Sequence, residues 1–218
     1  MHVAEAQWIN SYLGRFSARE LSPLLNVGSS TESFRTIQQP HIEELLLRPL
    51  RSRGIEVVNQ DIKDAAGVDL VGDLTDPNFA ASLAKLEIGT LLCNNLLEHV
   101  PQRSAIVDAL LAATPRGSVI VATGPSRYPK HLDPIDTMFR PSPGELAALF
   151  HTTKVEEMAE LDVGSVVSGY SNDALGLVRL LLLAGMPFGG FPRWVTAVHK
   201  VAWLFRVRKL YCVAMRKI

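Results

Sequence analysis

Leu24-Leu25-Asn26-Val27-Gly28-Ser29-Ser30-Thr31-Glu32 is the stretch whose reading decides the fold. An apolar run stops at a glycine, small hydroxyl residues follow, and the chain then turns back. Glycine allows the backbone to approach a bound group closely, and Ser and Thr are small enough not to block it. A first parallel strand hands over to a ligand-binding loop in this way in a three-layer α/β domain. An ordinary strand-to-loop turn with one glycine has the same look, so the segments downstream decide between the two.

Those segments alternate between strand and helix. Strands are expected over 55–61, 68–73, 90–95, 118–123 and 153–161, with a last one over 210–215; that over 90–95 is a continuous apolar run of the kind buried on both faces. Helices fall between them. Pro40 offers a first helical position, and Pro49 should end or kink that helix. Asp76 is a candidate N-cap with Pro77 behind it, Pro101 opens the helix holding Ile106, Val107, Leu110 and Leu111, and Ser142 with Glu145 makes a capping-box pattern. Trp8, Ile9, Tyr12, Leu13 and Phe16 give residues 1–20 one apolar helical face, for packing against the domain or for a lid. Such an order implies a mostly parallel sheet covered on both faces, and ligands lie outside the carboxyl ends of its strands. Gly28, Asp61, Asp73, Asn94–His99 and Thr123–Gly124 all fall at those ends. The expected class is a Rossmann-like α/β sandwich with a seven-stranded sheet, as one domain over 1–218: an N-terminal helix (1–20), a ligand-binding core (21–161), a helical cap (162–206) and a final strand (207–218).

The chain of 218 residues has 22 basic and 22 acidic side chains, so no global basic field points to nucleic acid. The balance hides an asymmetry. From Ala174 to Ile218 there is no Asp or Glu and the charge is +8, leaving −8 on the first 173 residues. That apolar, basic segment suits an anionic membrane surface, a subunit interface in a homo-oligomer, or a buried cap whose charge balances the acidic body. Cys93 and Cys212 sit in apolar runs and read as buried thiols in a reducing compartment; their spacing gives neither a disulfide framework nor a metal site. No charged stretch followed by an apolar one opens the chain, so the expectation is cytoplasmic.

Two kinds of ligand suit this sheet edge. A dinucleotide calls for G-x-G-x-x-G, and here Gly28-Ser29-Ser30-Thr31-Glu32-Ser33 lacks the second and third glycines and adds a carboxylate. An adenosyl group without phosphate needs a carboxylate for its ribose hydroxyls and an acceptor for its amino group, which Asp61 and Asp73 supply. At this point the chain resembles the class I S-adenosylmethionine-dependent methyltransferases over residues 24–125. Leu25-Asn26-Val27-Gly28-Ser29-Ser30 is similar to their first motif, Asp61 to the ribose acid, and Gly72-Asp73 to the adenine contact. Asn94-Asn95-Leu96-Leu97-Glu98-His99-Val100-Pro101 resembles the motif after strand four, and Pro115-Arg116-Gly117-Ser118 the turn into strand five. The family usually carries an acid where Asn26 stands and glycines where Ser29 and Ser30 stand. The gap from Gly28 to Asp61 is also long, so Asp64 competes with Asp61 for the ribose, as does a purely structural role for Asp61. The segment from Asp133 to Pro141 resembles one in a subgroup tied to bacterial sugar and glycan biosynthesis.

The resemblance implies transfer of a methyl group from S-adenosylmethionine to a small-molecule or glycan acceptor, with Asn26, Gly28, Ser29, Ser30, Asp61, Asp73, Asn95 and Leu96 around the cofactor. An alcohol or amine acceptor adds the need for a base: His99 or His131, with Asp133 and Asp136 as partners or substitutes. Each has a plainer reading: His99 as a brace of its turn, His131 as a solvated loop residue, Asp133 as a turn former and Asp136 as an ion-pair partner of Arg140. Arg127 and Arg140 suit an anionic acceptor. A nicotinamide-dependent reductase or epimerase with a degenerate glycine loop is the rival, although no Tyr-x-x-x-Lys pair is present. A methyltransferase-like binding module without catalysis is the third reading.

Overall fold

The computed structural model describes residues 1–131, 135–167, 173–185 and 190–218, Pro192 by its backbone alone. Seven strands form one sheet: β1 (Leu24–Val27), β2 (Val57–Asp61), β3 (Leu70–Val71), β4 (Thr90–Asn94), β5 (Val119–Arg127), β6 (Thr153–Asp162) and β7 (Lys209–Lys217). Their order is β3-β2-β1-β4-β5-β7-β6, with the first five parallel and β7 antiparallel to both neighbours. The chain reverses its direction of winding at β1, which has β2 on one side and β4 on the other. A ligand crevice opens at such a switch point.

Register places the site. Val27 lies opposite Gln60 of β2 and Cys93 of β4, and Asn94 lies opposite Thr123 of β5. Four strands therefore reach one level together, and Gly28, Asp61, Asn95 and Thr123 share one edge.

Alternation along the strands builds two cores. Leu25, Val27, Leu91, Cys93, Ile120, Ala122, Val213 and Met215 meet the helices Pro77–Leu83, Arg103–Ala113 and Pro143–Leu149. Leu24, Leu92, Val119, Val121 and Ala214 face the other way, onto Ile9, Tyr12 and Leu13 of the N-terminal helix Val3–Leu13 and onto Leu46, Leu47 and Leu50. Both cysteines are buried free thiols. The basic helices Ala174–Gly185 and Phe191–Ala202 are inserted between β6 and β7 and hold a small core of their own around Val166, Leu180 and Ala197. No helix among the described residues is long and apolar enough to cross a membrane.

Several boundaries differ from the sequence reading, each for a local reason. Pro49 does not end its helix. A π-helical turn over Glu43–Leu47 leads into Arg48–Ser52, at whose start the missing N–H of proline costs little. The helix after β4 begins at Arg103 rather than at Pro101, because a 3₁₀ turn over Leu97–His99 comes first. β5 runs on through Gly124-Pro125-Ser126-Arg127, with a register shift after Pro125, since β7 supplies pairing that the sequence of β5 alone does not reveal. Asp76 and Ser142 cap as expected, accepting from the N–H groups of Asn78 and Glu145.

Candidate functional site

The loop after β1 is tightly specified. Gly28 has φ +63°, which favours glycine, and a Cβ there would stand 2.9 Å from Leu96 Cδ1 and push that side chain aside. Ser30, also at positive φ (55°), donates its N–H to Asp61 Oδ2 at 2.7 Å, while Lys63 N–H reaches Asp61 Oδ1 at 3.0 Å. The N–H groups of Ser29 and Glu32 go to the carbonyls of Gln60 and Ala66. Behind the loop lies Arg35, only 3 % exposed, donating to the carbonyls of Ser29 (2.9 Å), Ser30 (2.6 Å) and Gly67 (2.6 Å). Asn26 donates to Asn59 Oδ1 at 3.1 Å, and Asn59 donates in turn to Asp69. Asn26 thus supports β2 with the amide whose place an acid takes in the resembled motif.

A second wall comes from the segments after β4 and β5. Thr137 donates both its N–H (2.9 Å) and its hydroxyl (2.8 Å) to the Glu98 carbonyl, and Arg103 binds Val100 O and Thr137 Oγ1 while lying over the Phe139 ring. These bonds hold residues 135–140 against 97–103. Their centre is Asp136, whose buried carboxylate accepts from Arg140 Nη2 (2.6 Å), His131 N–H (2.9 Å) and Met138 N–H (2.8 Å). Burial alone would raise the Asp136 carboxyl; the bonds from Arg140, His131 and Met138 outweigh it and hold it below the usual carboxylate range. His131 Nδ1 lies 3.0 Å from Asp136 Oδ2, and its ring packs edge-on against His99 and Tyr128, centroids 5.3 and 5.9 Å away. His99 Nδ1 meets the Ile135 carbonyl, and its Nε2 stands 3.8 Å from Glu98 Oε1. Burial pushes the Glu98 carboxyl up to about 7.

The start of the N-terminal helix forms a third side. Glu5, fully buried, accepts from Asn95 Nδ2 (2.6 Å) and from the Thr123 hydroxyl at the ends of β4 and β5. His2 Nε2 lies 3.0 Å from the Tyr128 hydroxyl, which Arg208 also reaches. This helix packs into the domain with its later turns and borders the site with its first.

The three sides enclose a cavity of about 1100 Å³. Asn26, Gly28, Ser29, Ser30, Asp61, Asn95, Leu96, His99 and His131 line it, so most of the sequence candidates come together. Asp73 does not line it; Thr75 donates its N–H and its hydroxyl to Asp73 Oδ1, each at 2.8 Å. Asp136 and Arg140 stand behind the wall, paired with each other, and Arg127 is exposed on β5. Asp133 falls outside the described residues. Sequence reasoning passed over Arg35, Glu5, Tyr128 and Ile62, the last a 65 % exposed isoleucine in the cavity next to Asp61. Glu5 had left a signal: it lies four residues before Ile9, on the apolar face of its helix.

No family model matches the chain, and no curated protein does. Solved structures do match it. A SAM-dependent methyltransferase from Archaeoglobus fulgidus aligns over 97 % of this chain and 94 % of its own, with TM-score 0.54 and 13 % identity. Coclaurine N-methyltransferase, bound to N-methylheliamine and SAH, covers 98 % and 73 % with TM-score 0.54 and 11 % identity. SpnF, described as a 4+2 cyclase, covers 97 % and 80 % with TM-score 0.56 and 12 % identity. One architecture thus carries more than one chemistry. The strand order, the antiparallel β7 and these neighbours together give the chain the class I S-adenosylmethionine-dependent methyltransferase fold.

Proposed function

We propose that the protein transfers a methyl group from S-adenosylmethionine to an acceptor held against the His99–His131 wall. The observation that carries this reading is the state of the loop after β1. The N–H groups of Ser29, Ser30 and Glu32 are spent within the fold, and the carboxylates of Glu32 and Asp61 stand close by. A dinucleotide diphosphate would find little to bind there. Asp61, in contrast, has about two of its four acceptor positions left for a ribose diol. Ile62 offers an apolar face to a flat base, the part first given to Asp73. Asn95 and Leu96 then border the methionine end.

In this chemistry the sulfonium is already a leaving group, so the protein's task is to align an acceptor lone pair with the methyl carbon and to keep water out. The nucleophile–carbon bond forms as the carbon–sulfur bond breaks, and that electron pair stays on sulfur. The acceptor proton leaves at the His99–His131 wall, and Asp136 acts through His131 as a positioning residue. Lys130 and Lys200 line the same cavity. They suit an anionic acceptor, such as a phosphorylated or carboxylated sugar, better than Arg140, whose guanidinium is occupied.

Calorimetric titration with S-adenosylhomocysteine should show one site, and NADH none; no binding of the former sinks the reading. Gly28→Ala should weaken S-adenosylhomocysteine at least tenfold, because an L-residue at this φ costs about 1–2 kcal/mol and its Cβ displaces Leu96.

One further observation supports a lipid-linked acceptor. Leu175 (73 %), Leu182 (58 %), Phe191 (72 %) and Phe205 (83 %) are exposed on the inserted helical segment. Arg179, Arg193 and Arg206 are exposed with them, and no acidic residue follows Asp173. Apolar side chains ringed by basic ones suit an anionic bilayer, where each basic residue contributes about 1 kcal/mol. Lys200 and Arg208 connect this segment to the cavity. Co-sedimentation should occur with phosphatidylglycerol vesicles, should be weaker by tenfold or more with phosphatidylcholine, and should fall as much in Arg179→Glu/Arg193→Glu. Equal binding to both lipids, or none with a concentration-dependent dimer instead, overturns the bilayer assignment.

A further inference from the structure

We propose that Glu98, His99 and His131 form a divalent transition-metal site in the wall of the cavity. One ligand atom from each of the three lies within 4.8 Å of the others. Around a cation held at about 2.1 Å such donors stand about 3.4 Å apart, so the set contracts by on the order of 1 Å on binding.

The surroundings of each donor point the same way. His99 Nδ1 faces the Ile135 carbonyl and must carry its proton there, which leaves the lone pair on Nε2, the nitrogen 3.8 Å from Glu98. His131 Nδ1 stands 3.0 Å from the Asp136 carboxylate, so an anion lies behind that ring as well. A carbonyl or carboxylate behind each imidazole is the outer shell that fixes the tautomer of a metal-ligating histidine. Asp136 is held in turn by Arg140 and two N–H groups, so this shell is rigid. Glu98 supplies the second, independent observation. Its side chain is 2 % exposed, and its Oε2 has no hydrogen-bond partner among the described residues. A carboxylate oxygen buried unsatisfied is costly in isolation, and a cation at the cavity face of Glu98 removes the cost.

Two imidazoles with one carboxylate select zinc, iron(II), manganese or cobalt over magnesium and calcium, which favour all-oxygen shells. Three protein donors also leave positions open toward the cavity. The chemical role deepens the proposed methyl transfer and rests on it, while the site itself does not. An acceptor hydroxyl bound to the cation gives its proton to water, its oxygen attacks the methyl carbon, and the carbon–sulfur electron pair remains on sulfur. The cation then does the work otherwise left to an imidazole.

Chelator-stripped protein titrated with CoCl₂ should develop visible d–d bands, and calorimetry with ZnCl₂ should give one equivalent bound. His131→Ala and Glu98→Gln should each weaken zinc at least tenfold, and His99→Ala/His131→Ala at least a hundredfold. His151→Ala, on the exposed histidine beside Asp108, should change nothing. Titration of every variant with S-adenosylhomocysteine reports on folding independently of the metal, and His131→Ala covers the case in which the buried Glu98 variant does not fold. Absence of a stoichiometric site, or a site unchanged in these variants, overturns the proposal and leaves the cofactor reading standing. Metal binding without S-adenosylhomocysteine binding does the reverse.

Discussion

Arg35→Met will weaken S-adenosylhomocysteine about a hundredfold and lower Tm by about 6–12 °C. The side chain is 3 % exposed and its guanidinium donates to three carbonyls, those of Ser29, Ser30 and Gly67. Methionine keeps most of the volume and removes every guanidinium donor, leaving the Ser29 and Gly67 carbonyls without that partner while Ser30 O keeps the Ser29 hydroxyl. Hydrogen bonds to a charged group are worth about 1.5–3 kcal/mol each, and an orphaned buried acceptor costs about 1–3 kcal/mol. Relaxation of the loop toward solvent recovers part of that, so a net loss of about 3 kcal/mol is a reasonable centre. At 1.4 kcal/mol per tenfold this is the predicted loss of affinity, and at about 2–4 °C per kcal/mol for a chain of this size it is the predicted loss in Tm. Arg51→Met is the control. Arg51 pairs with Glu43 at the surface, where an ion pair contributes at most about 1 kcal/mol, and neither affinity nor Tm should move appreciably. Calorimetry and a thermal melt on the two variants decide the matter. Equal small effects would mean that the loop holds its shape without the buried guanidinium.

The contrast between those arginines shows what a sequence makes legible. Strand runs such as Thr90-Leu91-Leu92-Cys93-Asn94 and caps such as Asp76-Pro77 announce themselves through local pattern, and with them came the sheet and its carboxyl edge. Gly28, Asp61, Asn95 and Leu96 were legible for the same reason, since each terminates a strand. Arg35 and Glu5 were not, because each closes on a segment far along the chain: Gly67 is 32 residues from Arg35, and Thr123 is 118 from Glu5. A buried charge is recognised by what surrounds it, and no periodicity encodes that. Asp73 and Arg140 depart in the opposite sense. Their chemical types suited a ligand, but neither lines the cavity: Thr75 bonds to Oδ1 of Asp73, and Asp136 holds Arg140. The alternative of an Asp136–Arg140 pair within the loop had been visible in their i, i+4 spacing.

Asp136→Ala should separate the two walls of the cavity. The carboxylate is the common acceptor for the Arg140 guanidinium and two backbone N–H groups, and it lies 3.0 Å from Nδ1 of the His131 ring. Its removal leaves Arg140, whose side chain is 11 % exposed, as an uncompensated charge, and breaking such a pair costs about 3–5 kcal/mol. The cheapest response is local. The described residues 128–131 and 135–140 form no part of the two strand cores except through Phe139, which packs at the margin of one, and a segment of that kind can open without global unfolding. The expected result is a change in Tm smaller than that of Arg35→Met, S-adenosylhomocysteine affinity within about threefold of the parent, and methyl transfer reduced a hundredfold or more once an acceptor is in hand. The reason is that His131 leaves the wall while Gly28, Ser30 and Asp61 stay. Asp136→Asn keeps an acceptor for one N–H and should recover part of the rate, which a merely bulky plug at this position would not do. Loss of S-adenosylhomocysteine binding in Asp136→Ala to the extent seen in Arg35→Met would show that the walls are coupled and that the cavity is a single cooperative unit.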